Sequence, residues 1–238
     1  HLQRRRQRQM CIRDRSMFTN YVLPEIEKSL KNKVVCKSIR TTGVPESILQ
    51  EKITDIINAN NGKCDIAFLP HRMLGVDIRL TSSDNQLVED LIYEIVPRIK
   101  KYVYGYDNDK LEQVIADLLI KNNLTVSTAE SCTSGLLASR LTDVSGSSQY
   151  FKGGSVCYSN ELKINDIGID KDLIERHGAV SEEVVKSLAK NIAQKNNTDL
   201  GIGITGIAGP DGGTEKKPVG LVFVGIFYKN NLYIKEYN

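Results

Sequence analysis

A strand-like apolar run ending in Thr128-Ala129-Glu130 passes through Ser131-Cys132-Thr133-Ser134-Gly135 into a helix of apolar periodicity, and no other stretch constrains the fold as strongly. Strand and helix joined by so short a turn must lie in successive layers. The alternation continues downstream, so the C-terminal half reads as layered α/β, with the loops after strand ends placed to carry chemistry. First-turn N–H groups of a helix lack intrahelical partners and carry the positive end of its dipole. A hydroxyl at Ser131 then has anion stabilisation beside it, the setting of a serine nucleophile. A Ser/Thr-rich N-cap is the commoner reason for such a composition.

Upstream the pattern from Val22 to Val103 is helix, strand, helix, two strands, helix. Ile48, Leu49, Ile53, Ile56 and Ile57 recur at helical spacing within Pro45–Asn60, and Leu91, Ile92, Ile95 and Ile99 do so within Leu87–Val103, whereas Val76, Ile78 and Leu80 alternate with polar neighbours. Residues 17–103 thus form a small α+β domain. Residues 104–109, Tyr-Gly-Tyr-Asp-Asn-Asp, read as a linker in which the aromatic pair packs one domain on another. Residues 110–238 are the layered α/β domain, opened by a helix on Leu111, Val114, Ile115, Leu118 and Leu119.

With 40% hydrophobic and 26% charged residues the chain is an ordinary globular one, and no apolar run reaches the ~18 residues of a membrane span. Cysteines 11, 36, 64, 132 and 157 are odd in number and scattered, so neither a disulfide framework nor a zinc site is expected, and a reducing cytoplasm is. The first fifteen residues hold six arginines against Asp14, a local +5 that leaves −2 of the formal +3 for all other residues. A basic arm of this kind can bind nucleic acid. Met10–Arg15, however, back-translates to a sequence resembling a transposon adapter used for sequencing libraries, and residues 1–16 are expected to be non-native. The remaining −2 argues against a nucleic-acid partner; oligomeric state is left open.

Amide hydrolysis at Ser131 would need a base and oxyanion donors. His71 falls in the small domain's hairpin and His177 precedes Gly178 at a turn, where ending a helix is the default duty. Lys163 is the better candidate. Asn160 is a good N-cap, which places Lys163 at the third helical position, where the dipole disfavours its charge. Taken alone, a lysine in a first turn is most often solvated. Cys132 is a rival nucleophile, since a thiol at a helix N-terminus has a depressed pKa. Glu130 reads as an orienting or substrate-hydroxyl partner, or else as a surface carboxylate at a strand end. A strand over Asp199–Ile204 leads into Thr205-Gly206-Ile207-Ala208-Gly209, where glycines allow successive N–H groups to converge on a phosphate; Asp211-Gly212-Gly213 reads as a tight turn. It is neither a Walker A loop nor a dinucleotide fingerprint. Two strands, Leu221–Tyr228 and Leu232–Tyr237, flank Lys229-Asn230-Asn231.

The Ser131 segment, Gly153-Gly154-Ser155-Val156-Cys157-Tyr158-Ser159-Asn160-Glu161-Leu162-Lys163, His177-Gly178-Ala179-Val180-Ser181 and Gly203–Gly213 together resemble, in order, the C-terminal domain of the competence/damage-inducible CinA family. The resemblance, from about Asp109 to the end, implies a cofactor- and metal-free hydrolase that converts the carboxamide of nicotinamide mononucleotide to the acid. It gives Ser131 the role of nucleophile and Lys163 that of base, then acid. Substrate contacts are expected from Glu130, Thr133, Ser134, Tyr158, Asn160, Thr205, Gly206, Ile207, Ala208 and Gly209, with Tyr158 and Asn160 flanking the nicotinamide ring. The small domain is similar to the family's KH-like middle domain but lacks a G-x-x-G loop, so a spacer role is expected. Relatives carry a nucleotide domain further upstream, whose very end Met17–Leu30 resembles, and continue past residue 238 into a closing helix. The competing reading is a catalytically inactive nucleotide-binding or competence-associated interaction protein.

Overall fold

The computed structural model describes residues 14–29, 34–71 and 75–238, and the chain divides after Asn108 into two units. Of the adapter-like residues 1–16, those numbered 1–13 lie outside the described residues, as does Leu30; residues 14–16 begin a helical stretch that runs into α1 (Leu23–Ser29).

The first unit runs β1 (Val35–Thr41), α2 (Glu46–Ala59), β2 (Asp65–His71), β3 (Gly75–Ser82), α3 (Asn85–Ile99), β4 (Val103–Tyr106). Its sheet is antiparallel in the order β2-β3-β1-β4. Leu49, Ile53 and Ile56 of α2 and Val88, Leu91, Ile95 and Ile99 of α3 close on Ile39, Ile78 and Leu80 of the strands. Each such side chain contributes roughly 1.5–3 kcal/mol by leaving water. The helical stripe expected for α3 is observed, with Ile92 at its half-buried margin and Asp84 as the cap, accepting from Leu87 N at 3.2 Å.

The division between the two units falls within the expected linker, after Asn108, but its first half, Tyr104–Tyr106, is strand. Val103–Tyr106 pairs with β1, Arg40 Nε donates to Tyr104 Oη at 3.1 Å, and Asp107 Oδ1 accepts from Ser38 N at 2.9 Å. The glycine and tyrosines that suggest a linker belong to a short sheet strand of this unit. Local composition misleads there because a strand of four residues shows only two turns of the period-2 pattern.

The second unit runs α4 (Leu111–Lys121), β5 (Val126–Glu130), α5 (Leu136–Thr142), β6 (Phe151–Val156), α6 (Asn160–Asn165), α7 (Lys171–His177), α8 (Glu182–Asn196), β7 (Leu200–Gly206), β8 (Val222–Tyr228), β9 (Asn231–Tyr237). The sheet order is β6-β5-β7-β8-β9, with β5 parallel to both β6 and β7 and the last two strands antiparallel. Three parallel strands therefore finish at one edge, at Glu130, Val156 and Gly206, and their loops gather there. Every residue of β5 is buried, as a central strand covered on both faces requires.

Helix α8 lies directly on β7 because that strand carries glycine where the helix crosses. A Cβ at Gly201 would stand 2.0 Å from Ala189 O, and one at Gly203 2.7 Å from Ala189 N. The β8–β9 hairpin turns through Lys229 and Asn230 with φ of +48° and +64°, the paired positive values of a two-residue turn matched to strand twist. The stripe expected of α4 is only partly inward: Ala116 and Leu119 are buried, whereas Leu118 is 55% exposed. Among the described residues no helix is long and apolar enough to cross a membrane.

Candidate active site

Ser131 sits one residue beyond β5, and its N–H donates to Ile204 O of β7 at 3.0 Å. That bond extends the ladder past the strand end and holds the serine at the sheet edge. The chain then turns through residues 131–135, with Ser134 N donating to Ser131 O at 3.2 Å and φ of +50° at Ser134 and +90° at Gly135, before α5 begins at Leu136. The helix thus starts five residues later than an immediate strand-to-helix turn implies. Its free first-turn donors do not face Ser131: Leu137 N and Ala138 N donate to the two carboxylate oxygens of Glu130 at 3.0 and 2.8 Å. Glu130 is 1% exposed, so it is not the surface carboxylate the sequence allows. The donors left near Ser131 are the N–H groups of Cys132 and Thr133, which find no backbone carbonyl acceptor among the described residues.

Lys163 reaches the same place from α6. Ser159, not Asn160, caps that helix, accepting from Leu162 N at 3.2 Å, so Lys163 occupies its fourth position rather than its third. Serine and asparagine rank almost equally as caps, and their adjacency gave sequence reasoning no basis for choosing. Lys163 Nζ lies 2.9 Å from Cys157 O, 3.1 Å from Tyr158 O and 3.0 Å from Ser131 Oγ. The residue is only 2% exposed, and burial pushes its pKa down from the ordinary lysine value. With two of its directions taken by the carbonyls, the third direction of the amine faces the Ser131 hydroxyl. The two carbonyls, from Cys157 and Tyr158, escape sequence reasoning because main-chain acceptors have no residue signature.

Cys132 does not become an activated thiol. Burial raises its pKa more than Lys163 and the two nearby N–H groups lower it. Cys157 is likewise pushed up by burial. The histidines have partners elsewhere: His71 Nε2 lies 2.6 Å from Asp77 Oδ2 in the first unit, and His177 ends α7, with Nδ1 3.5 Å from Glu183 Oε2.

The remaining expected contacts separate into two groups. Tyr158, Asn160 and Ser134 are exposed, Tyr158 and Ser134 on the loops that carry Lys163's acceptor and Ser131, and Thr133 Oγ1 is buried with no hydrogen-bond partner among the described residues. The glycine-rich segment is more committed than its composition suggests. Thr205 and Gly206 are still strand, Thr205 Oγ1 donates to Ala179 O at 2.9 Å, and Ile207 N donates to Leu221 O at 2.9 Å. A Cβ at Gly206 would meet Leu221 O at 2.8 Å and Cys132 Sγ at 3.1 Å; one at Gly209, where φ is +76°, would meet Val219 Cγ1 at 2.5 Å. These glycines serve close packing of the segment on its own return strand. Ala208 and Gly209 remain as the part of the expected nest whose N–H groups find no backbone acceptor among the described residues.

Residues 108–238 match the family described as CinA C-terminal domain, and residues 36–105 match the damage-inducible protein CinA KH domain. A CinA-like protein of Dictyoglomus thermophilum is 38% identical over 224 residues, which cover 92% of this chain and 54% of that protein. The chain thus spans about half the length of the curated relatives it matches. Among solved structures, the competence/damage inducible protein CihA of Agrobacterium tumefaciens is 37% identical with a TM-score of 0.52, over 53% of this chain and 78% of that one. A competence-damaged protein (CinA) superfamily protein of Escherichia coli is 32% identical with a TM-score of 0.52, over 53% and 73% of the two chains.

Proposed function

This chain belongs to the CinA family, and from that premise we propose that its second unit is an amidohydrolase that converts the carboxamide of nicotinamide mononucleotide to the carboxylate, releasing ammonia. The observation that carries the reading is the buried amine of Lys163, gripped by the carbonyls of Cys157 and Tyr158 and 3.0 Å from Ser131 Oγ. A solvated lysine is an ammonium at neutral pH and cannot accept a proton. Desolvation favours the neutral form, and the two carbonyls orient it, so a weak hydroxyl nucleophile gains an adjacent base.

In this mechanism Ser131 Oγ adds to the amide carbon as Lys163 takes its proton. Negative charge develops on the carbonyl oxygen, and the N–H groups of Cys132 and Thr133 are the donors available to it. Lys163 returns the proton to the amide nitrogen, ammonia leaves, and a Ser131 ester remains. Water then attacks that ester, with Lys163 again as base, and the acid departs. Tyr158 and Asn160 flank the pyridine ring; Thr133, Ser134 and the Thr205–Gly209 segment are proposed around the ribose phosphate, with Ala208 and Gly209 offering their N–H groups.

The test is direct. The chain is incubated with nicotinamide mononucleotide, and ammonia and nicotinic acid mononucleotide are quantified, with Ser131→Ala as control. Stoichiometric release by the parent protein and none by the variant is expected. Binding of the nucleotide without ammonia release would instead favour the inactive binding protein.

A further inference from the structure

Glu130 is an expensive residue to keep where it stands. Its side chain is buried at the end of the central strand, and among the described residues no lysine, arginine or histidine is paired with it. A buried carboxylate is costly unless hydrogen bonds and dipoles compensate. Here the compensation is the N-terminus of α5, whose first-turn N–H groups of Leu137 and Ala138 meet one oxygen each. A cap of that kind is ordinarily supplied by the residue at the helix start, but Gly135 holds that position and has no side chain. The cap therefore comes from across the turn that bears Ser131.

We infer that Glu130 is a positioning residue for the Ser131–Lys163 pair, acting through the backbone it clamps and not through the substrate; this rests on the serine–lysine reading above. Two chains of contact lead from it. Its carboxylate ties the far end of the 131–135 turn to the strand end where the turn begins, so the turn is closed on itself. Its own carbonyl accepts from Cys157 N at 2.8 Å, and the carbonyl of Cys157 in turn accepts from Lys163 Nζ at 2.9 Å. One residue thus holds the turn that carries the nucleophile and adjoins the anchor of the base. A substrate role for Glu130 fits poorly with this geometry, since both oxygens are engaged and the side chain is closed off from solvent. Misplacement of reacting groups by about 1 Å is enough to cost ~10²-fold in rate.

The test compares Glu130→Gln and Glu130→Asp with the parent chain. Glutamine can accept one N–H but sets its own NH₂ against the other, and aspartate is shorter by one methylene. Three quantities are read: kcat and KM for nicotinamide mononucleotide, the rate at which a small alkyl fluorophosphonate labels Ser131, and the melting temperature. The fluorophosphonate has no ribose or phosphate ester to recognise, so it reports the serine and lysine alone. Expected for Glu130→Gln are a fall of about 10²-fold in both kcat and labelling rate with KM within about threefold, and an intermediate fall for Glu130→Asp, which also serves if the glutamine variant does not fold. A raised KM with unchanged labelling makes Glu130 a substrate ligand and overturns the inference. A lowered melting temperature with kcat and labelling intact reduces it to a helix cap and overturns it equally. If the parent chain labels at Ser131 but releases no ammonia, the proposed substrate fails, while the labelling series still decides the role of Glu130.

Discussion

Two lysines of the second unit are held in nearly the same way and differ in what surrounds them. Lys163 Nζ donates to the carbonyls of Cys157 and Tyr158. Lys217 Nζ donates to the carbonyls of His177 and Val180, each at 2.6 Å, and ties the strap after the glycine-rich segment to the loop between α7 and α8. What differs is the third neighbour and the solvent. Lys163 has Ser131 Oγ on its remaining side and almost no exposure, whereas Lys217 is half-buried and, among the described residues, its amine is bonded to those two carbonyls and to no hydroxyl or thiol. A pair of carbonyls orients an amine; in the proposed mechanism it is burial that fits Lys163 to act as a base, because desolvation is the force that disfavours its charge. Lys217 is on this view a mechanical tie.

Exchanging each amine for a side chain without one tests that contrast most strongly. Lys163→Met is expected to lower kcat by about 10⁴-fold, near the upper end of what a general base supplies. Lys163→Arg, which stays charged, should be as inactive. In the parent protein the rate should rise with pH through the depressed pKa of Lys163 and level off above it, as steady-state rates across that range would show. A flat profile would make Lys163 as mechanical as Lys217.

Lys217→Met should act on stability instead. Two carbonyls lose a charged donor, worth about 1–3 kcal/mol of unfolding free energy by denaturant titration, with kcat changed by less than about tenfold. Loss of turnover in a folded Lys217→Met protein would erase the distinction drawn between the two amines.

A smaller effect follows from the same burial. The folded pKa of Lys163 lies below its unfolded value of ~10.4, so as pH falls the unfolded chain takes up this proton first. Stability is fully present above ~10.4, declines as pH falls through the window down to the folded pKa, and is level below it. The slope there is at most about 1.4 kcal/mol per pH unit, and it should be missing from Lys163→Met when the two proteins are unfolded side by side. Smallest of all is Cys132→Ser. Its thiol is pushed up by burial, and kcat should stay within about threefold; silencing by this change alone would move the nucleophile from Ser131 to Cys132.

Much of the architecture was legible in the chain. The α2 and α3 stripes, the layered α/β order implied by strand–helix alternation and the two strands around Lys229–Asn231 rest on patterns in which burial and spacing agree. Shorter signals failed. Tyr104–Tyr106 reads as linker and is strand; Asn160 reads as cap and yields to Ser159; the α4 stripe points partly outward. In each case a few residues satisfy two local patterns equally, and distant neighbours choose between them.

The site divides along the same line. Residue types made Ser131 and Lys163 candidates, but each alone had a commoner reading, a helix cap and a solvated lysine, and it was the order of motifs shared with the CinA family that gave them their expected roles. That Glu130 would turn inward and take the α5 donors, that Gly206 would lie against Cys132, and that the Lys163 amine would be dehydrated between two carbonyls were decided only by the tertiary structure. Periodicity and propensity are local sums that a chain carries with it. Desolvation, and the meeting of main-chain groups tens of residues apart, exist only once the parallel strands have brought their ends to one edge.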